Sequence, residues 1–159
     1  MVQVHQLNKN YKMASRVVDM DSKEFFKKRY KHIKNFEEYL YDNSYRVVKI
    51  FLNVSKEEQK RRFLERIDNP EKNWKFESGD LKERGLWDEY HKVFEDMINK
   101  TATKEAPWYV LPADQKWYTR YLVSEVILQA LRDINPQYPE MPEEEKKLLA
   151  QCRETLMSE

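Results

Sequence analysis

Three features of the sequence predict an α/β fold: a parallel sheet with flanking helices and a helical lid. The segment RVVKIFLNV, 46 to 54, is β-branched and apolar on both alternating faces, the pattern of a strand covered on both sides within a parallel sheet. Ser55 and Glu58 follow at once with capping-box spacing, so a helix should start where the strand ends. WYVLP, 108 to 112, with a helical pattern after it, repeats the strand-then-helix order.

The elements follow in chain order. VQVHQ, 2 to 6, alternates like a short strand, and the polar stretch 8 to 16 reads as a loop. Asp21 and Glu24 have capping-box spacing. Phe26, Tyr30, Ile33, Phe36 and Leu40 then recur at helical intervals until Asn43, which predicts a helix over 22 to 42. The helix after Ser55 should end near Asp68, because Asn69-Pro70 cannot continue it. Asp80 and Glu83 open another helix carrying Leu81, Trp87, Tyr90, Val93, Phe94 and Met97. Residues 56 to 99 thus form a lid-like helical hairpin. A helix over 115 to 134 follows the second strand. Pro136, Pro139 and Pro142 break the chain before a last helix over 143 to 157, so 135 to 159 reads as a Pro-broken tail and helix. All 159 residues are expected to form one domain.

Composition narrows the function classes. Charged residues make up 36% of the chain, yet the formal net charge is +1, which by itself points to no polyanion partner. That balance hides an asymmetry: residues 1 to 66 carry 16 basic against 9 acidic side chains, and 67 to 159 carry 13 against 19. Either a basic surface meets something anionic, or the halves pair with each other. The apolar run at 47 to 54 is far shorter than a membrane span, and no basic segment followed by an apolar run opens the chain; a cytoplasmic protein is expected. His5, His32 and His91 lack metal-ligand spacing, and the single Cys152 has no activator near it in sequence.

Several basic residues are candidates for holding an anion. On the helix after Ser55, Arg62 and Arg66 share a face, while Lys60 falls inside the apolar stripe of Phe63, Leu64 and Ile67. Glu57 to Arg61 and Glu58 to Arg62 are i,i+4 pairs that give two of these bases an ordinary structural role. Arg66 has no such partner, since Arg62 occupies the position four residues before it. A phosphate would suit it, and so would a solvated basic face. Lys75, between Trp74 and Phe76, either meets a ligand or passes two core rings. Asp80, Arg84 and Asp88 form an acid-base-acid ladder at i,i+4 spacing. In PADQKW, 112 to 117, Asp114 and Lys116 fall at the carboxyl edge of the sheet, where α/β proteins bind ligands, although Asp114 also suits a helix cap. No GxxxxGK[ST] stretch occurs, because Gly79 and Gly85 are followed by Asp80 and Leu86.

Read together, FEEYL at 36 to 40, RVVKIFLNVSKEEQKRRFLERIDNPEKNWKF at 46 to 76, DLKERGLWDEY at 80 to 90, TATKEAPWYVLPADQKWYTR at 101 to 120 and NPQYP at 135 to 139 resemble the polyphosphate kinase 2 family. The resemblance implies a sheet and lid similar to the thymidylate-kinase branch of the P-loop kinases. It also implies phosphoryl transfer, with Mg²⁺, between inorganic polyphosphate and nucleoside mono- or diphosphates. By resemblance, Lys60, Arg61, Arg62, Arg66, Lys75 and Arg84 hold polyphosphate, and Asp114 and Lys116 lie on the nucleotide or adjacent phosphate side.

The sequence also departs from the family pattern. A Gly-rich phosphate loop and an Asp-Arg-Ser segment usual in the family do not occur in these 159 residues, Gln3 stands where arginine is usual, and Asn53 where histidine is common. The chain therefore reads as the C-terminal part of a polyphosphate kinase 2 domain. It is expected to transfer phosphate poorly alone and to be completed by an N-terminal half or a homo-oligomer. The competing readings are a non-catalytic polyphosphate-binding module and a remnant without a ligand. Nucleic acid is a weaker partner, since no recognition helix or RNA-binding motif is evident.

Overall fold

The computed structural model of the protein describes residues 3–7 and 22–159. The loop expected over 8 to 16 and the Asp21 cap lie outside these residues. Residues 3–6 form a turn rather than a strand: Gln6 sits at φ 51 and its N–H reaches Gln3 O at 3.4 Å, a geometry no strand can continue.

Helix α1 (Ser22–Asp42) matches its predicted span. It ends in a Schellman motif, with Tyr45 N donating to Leu40 O and Ser44 N to Tyr41 O, both at 2.9 Å. Ser44, at φ 67, takes the left-handed position that glycine fills more readily.

Strands β1 (Lys49–Asn53) and β2 (Trp108–Pro112) pair in parallel, with Lys49 opposite Trp108 and Asn53 opposite Pro112. β1 is shorter than the predicted 46 to 54 because it is extended only where β2 faces it, and Pro112 closes the ladder with no N–H to donate. The expectation that both faces are covered is not met: Leu52 and Val110 are 52% and 51% exposed, and no third strand occurs among the described residues.

Helix α2 (Lys56–Asp68) starts where predicted, with Ser55 Oγ accepting from Glu58 N at 3.1 Å. It gives way at Asn69 to a 3₁₀ turn (Pro70–Lys75). There Asn73 Nδ2 donates to the carbonyls of Arg66 and Ile67 at 2.8 Å each, satisfying α2's last turn. The single helix predicted from Asp80 is in fact two, α3 (Gly79–Gly85) and α4 (Trp87–Thr101). The break falls where Gly85, a poor helix former, precedes Leu86 at ψ 25.

The interior is small. Among the described residues Phe25, Ala106, Leu111 and Ala113 are the buried apolar ones, and Phe51 meets Phe94 at 5.1 Å between ring centroids. A buried ion pair ties four elements together. Lys49 Nζ of β1 donates to Glu37 Oε2 of α1 at 2.7 Å and to Thr101 O of α4 at 2.8 Å, and lies 5.3 Å from the Trp108 ring centroid of β2.

Helix α5 (Lys116–Ile134) follows β2, and α6 (Glu143–Met157) follows Pro142, as predicted. The chain divides into two compact units, 1–127 and 128–159. The first contains the sheet and every candidate site residue. The second holds the end of α5 and the whole of α6, whose residues are exposed.

Candidate active site

The carboxyl ends of the two strands are joined by the turns that leave them. Ser55, after β1, donates its backbone N–H to Asp114 Oδ1, after β2, at 2.7 Å. Asp114 therefore satisfies an N–H at the start of α2 rather than capping its own helix. Glu58, whose side chain would complete a capping box by reaching back to Ser55 N, is free to bind arginines. Beside this tie lies a cavity of 480 Å³ lined by Ser55, Lys56, Trp87, His91, Asp114 and Tyr118 among others. A second, of 370 Å³, adds Gln59, Glu83 and Arg84 and shares Trp87 and His91, whose rings stack at 4.6 Å. Both lie at the edge where open α/β sheets bind ligands.

Arg62 bridges α2 to the end of β2. Its Nε donates to Glu58 Oε1 at 2.7 Å, and its Nη2 to Ala113 O at 2.6 Å and Asp114 O at 3.3 Å. Arg84 bridges α3 to α2, with Nη1 donating to Lys56 O and Gln59 Oε1 at 2.8 Å each, and its guanidinium lies 5.9 Å from the Trp87 ring centroid. The predicted ladder to Asp80 and Asp88 does not form. Asp80 instead accepts from Glu77 N at 3.2 Å, and the Lys56 carbonyl and Gln59 side-chain oxygen of α2 outcompete an exposed ion pair for Arg84. Arg62, Arg84 and Asp114 thus converge on the first turn of α2.

The other predicted residues are dispersed along α2, the 3₁₀ turn and the start of α5. Arg61 pairs with Glu58 at 2.6 Å rather than with Glu57, as the carboxylate of Glu58 accepts from both its Nε and its Nη2. Those bonds, first from Arg61 and then from Arg62, hold the Glu58 carboxyl down at about 2. Arg66 lies 5.7 Å from the Phe63 ring centroid and is in no ion pair among the described residues. Lys75 sits 4.9 Å from the Trp74 ring centroid. Trp74 is 78% exposed, so the pair is a surface contact rather than a lysine passing two core rings. Lys60 is exposed. Lys116, exposed at the first residue of α5, helps Lys72 lower the carboxyl of Glu65.

A family model described as Polyphosphate kinase 2 matches residues 7–139. The chain belongs to the polyphosphate kinase 2 family. It is 51% identical over 132 residues to an uncharacterized protein in the chlN 3′ region of Leptolyngbya boryana, covering 83% of this chain and 97% of that one. Its similarity to the AMP/ADP-polyphosphate phosphotransferase of Meiothermus ruber is 43% identity over 86% of this chain and 51% of the relative. The crystal structure of polyphosphate kinase 2 from Arthrobacter aurescens TC1 superposes with a TM-score of 0.76 at 35% identity, over 95% of this chain and 50% of that one. The polyphosphate kinase 2 α/β fold is therefore shared, while the chain spans about half the length of these two phosphotransferase-family relatives.

Within this candidate site, Lys56, Trp87 and His91 are residues that sequence reasoning missed. The signals were present: Lys56 opens a capped helix directly after a strand, and Trp87 and His91 are spaced i,i+4. Lys56 Nζ lies 6.0 Å from the Trp87 ring centroid, so the ring is flanked by Lys56, Arg84 and His91.

Proposed function

We propose that this chain takes part in phosphoryl transfer between inorganic polyphosphate and ADP or AMP. The observation that carries the reading is the meeting of Arg62, Arg84 and Asp114 on the first turn of α2, beside cavities at the carboxyl edge of the sheet, in a member of a phosphotransferase family. Phosphoryl transfer needs positioning and charge neutralisation more than covalent help from the protein, and lysine and arginine supply both. Polyphosphate lies along Lys60, Arg61, Arg66 and Lys75, with Arg62 and Arg84 fixing the turn it enters. The nucleotide phosphates lie towards Asp114 and Lys116, and residues 56–99 act as the lid that keeps water out.

Among the described residues no group of three or more His, Cys, Asp or Glu is placed to hold a metal ion. Mg²⁺ in phosphoryl transfer needs only one or two carboxylates, because phosphates and water complete its shell. Asp114, the one carboxylate among the described residues lining the 480 Å³ cavity, fits that requirement. When bound with the phosphates, Mg²⁺ supplies neutralising charge. Assembly as a homo-oligomer, or with the remainder of a polyphosphate kinase 2 fold, completes the centre under this reading. No described helix is long and apolar enough to cross a membrane, and nucleotide substrates are in keeping with the expected cytoplasmic location.

The test is ATP or ADP formation by the purified chain with polyphosphate, Mg²⁺ and ADP or AMP, beside a polyphosphate titration. Turnover that ceases in the Lys60→Glu/Arg66→Glu double variant supports the reading. Binding without turnover, both for the chain alone and with the remainder of a polyphosphate kinase 2 fold supplied, reduces it to a polyanion-binding module. Absence of both refutes it.

A further inference from the structure

Helix α1 carries a basic face that none of the site residues uses. Residues 22 to 34 contain six basic side chains against one acidic, Glu24. At 100° per residue, Lys27, Lys31 and Lys34 fall within an arc of about 60°, and they span about 10 Å along the axis. All three are exposed. Lys28 is paired with Glu24 at 3.1 Å, whereas Lys27, Lys31 and Lys34 are in no ion pair among the described residues. The preceding segment, 8 to 21, has three basic and two acidic side chains, too little acid to neutralise the stripe.

A chain of side-chain contacts links α1 to the site. Glu37, near the helix's carboxyl end, bonds Lys49 at the amino end of β1. About 10 Å back along the axis, Tyr30, flanked by Lys27 and Lys31, donates to Gln3 Oε1 at 2.8 Å. Two residues on from Gln3, His5 Nε2 meets Glu83 Oε2 at 3.0 Å, and the His5 ring lies 6.4 Å from that of Tyr90. Glu83 and Tyr90 line the 370 Å³ cavity at the carboxyl edge. The lysine stripe is thus linked to the wall of the site through Tyr30, Gln3 and His5. It also lines one side of the groove between α1 and α4, which Asp96, Asn99 and Lys100 close from α4 and Glu38 and Asp42 close at its far end.

From this geometry we infer that Lys27, Lys31 and Lys34 form an outlying track for a linear phosphate polyanion, holding the part of a long polyphosphate chain that extends beyond the site. The inference rests on the proposed function, because it takes polyphosphate as the occupant of the site itself. Lysines are point charges without the fork that fixes one phosphate, which suits a chain that must slide.

The experiment measures binding of long-chain polyphosphate and of tripolyphosphate to the full chain and to Lys27→Glu/Lys31→Glu/Lys34→Glu, over a range of salt. Circular dichroism checks that the fold is kept; Lys→Arg at the same positions is the charge-preserving control. The track predicts a loss of about tenfold or more for the long chain, a fall of about 2 in the slope of log K against log salt, and unchanged tripolyphosphate binding. The Lys→Arg variant should bind like the parent. Long-chain binding unaltered by charge reversal overturns the track, and loss of that binding in Lys60→Glu/Arg66→Glu alone shows that the functional reading survives it. A parent chain that binds neither polymer overturns both. Tighter binding of a single-stranded oligonucleotide, lost on the same charge reversal, overturns the track in favour of nucleic acid.

Discussion

Ser55 N and Asp114 Oδ1 are 2.7 Å apart, so the turns leaving the two parallel strands are fastened to each other by a backbone donor and a carboxylate 59 residues further along the chain. Replacing Asp114 with alanine leaves the first N–H of that turn without its acceptor and should cost about 1–2 kcal/mol. Asp114→Asn keeps a side-chain oxygen at the same place and should lose less than half of that. Urea unfolding of both variants checks the order; equal losses would mean that the bond is not what the carboxylate contributes.

Glu37 and Lys49 are both at most 9% exposed, and each is the other's counter-ion. Glu37→Ala should destabilise the chain by about 3–5 kcal/mol, because it strands a buried ammonium. The double replacement Glu37→Leu/Lys49→Met should be far milder, since no charge remains to be compensated. Denaturation midpoints of the three proteins decide this, and a double variant as unstable as the single one would contradict it.

Ser44 ends α1 at φ 67, a conformation costly for a residue with a Cβ. Ser44→Gly should therefore raise stability by about 0.5–1 kcal/mol, an effect of opposite sign to that of most glycine substitutions. Thermal unfolding is the measurement, and a lowered midpoint would argue against the strain.

Glu58 titrates near 2 in the folded chain instead of at 4.5, because Arg61 and Arg62 bond its ionised form. Its folded-state value is depressed, so the stabilisation is complete above about 4.5 and is lost as pH falls from there through about 2. Glu58→Gln should lack this component. Stability of the two proteins measured between pH 6 and pH 2, at about one-unit steps, should converge at the acid end. Parallel curves would rule it out.

Much of the fold was legible because its signals are local. The spans of α1, α2, α5 and α6 rest on helical periodicity and terminal residues, and Ser55 caps α2 through an acceptor three residues from its donor. The site was less legible. Arg62 finds carbonyls 51 and 52 residues away, and Arg84 one that lies 28 residues away; i,i+4 reasoning assigned both to carboxylates on their own helices. For Arg62 that carboxylate is present as well, in Glu58, but its role as a bridge depends on β2 arriving beside α2. The division of one predicted helix into α3 and α4 hung on Gly85, whose weak preference decides the outcome only once Leu86 is seen to turn.

The position of Trp87 gives the protein its own optical reporter. The indole sits between Lys56, Arg84 and the His91 ring and lines both cavities, whereas Trp74 and Trp117 are 78% and 69% exposed and Trp108 donates its Nε1 to Thr101 Oγ1. An anion that draws either cation off the indole face alters its emission. With the other three indoles replaced by phenylalanine, fluorescence would follow occupancy of the carboxyl edge directly, without a label and without turnover.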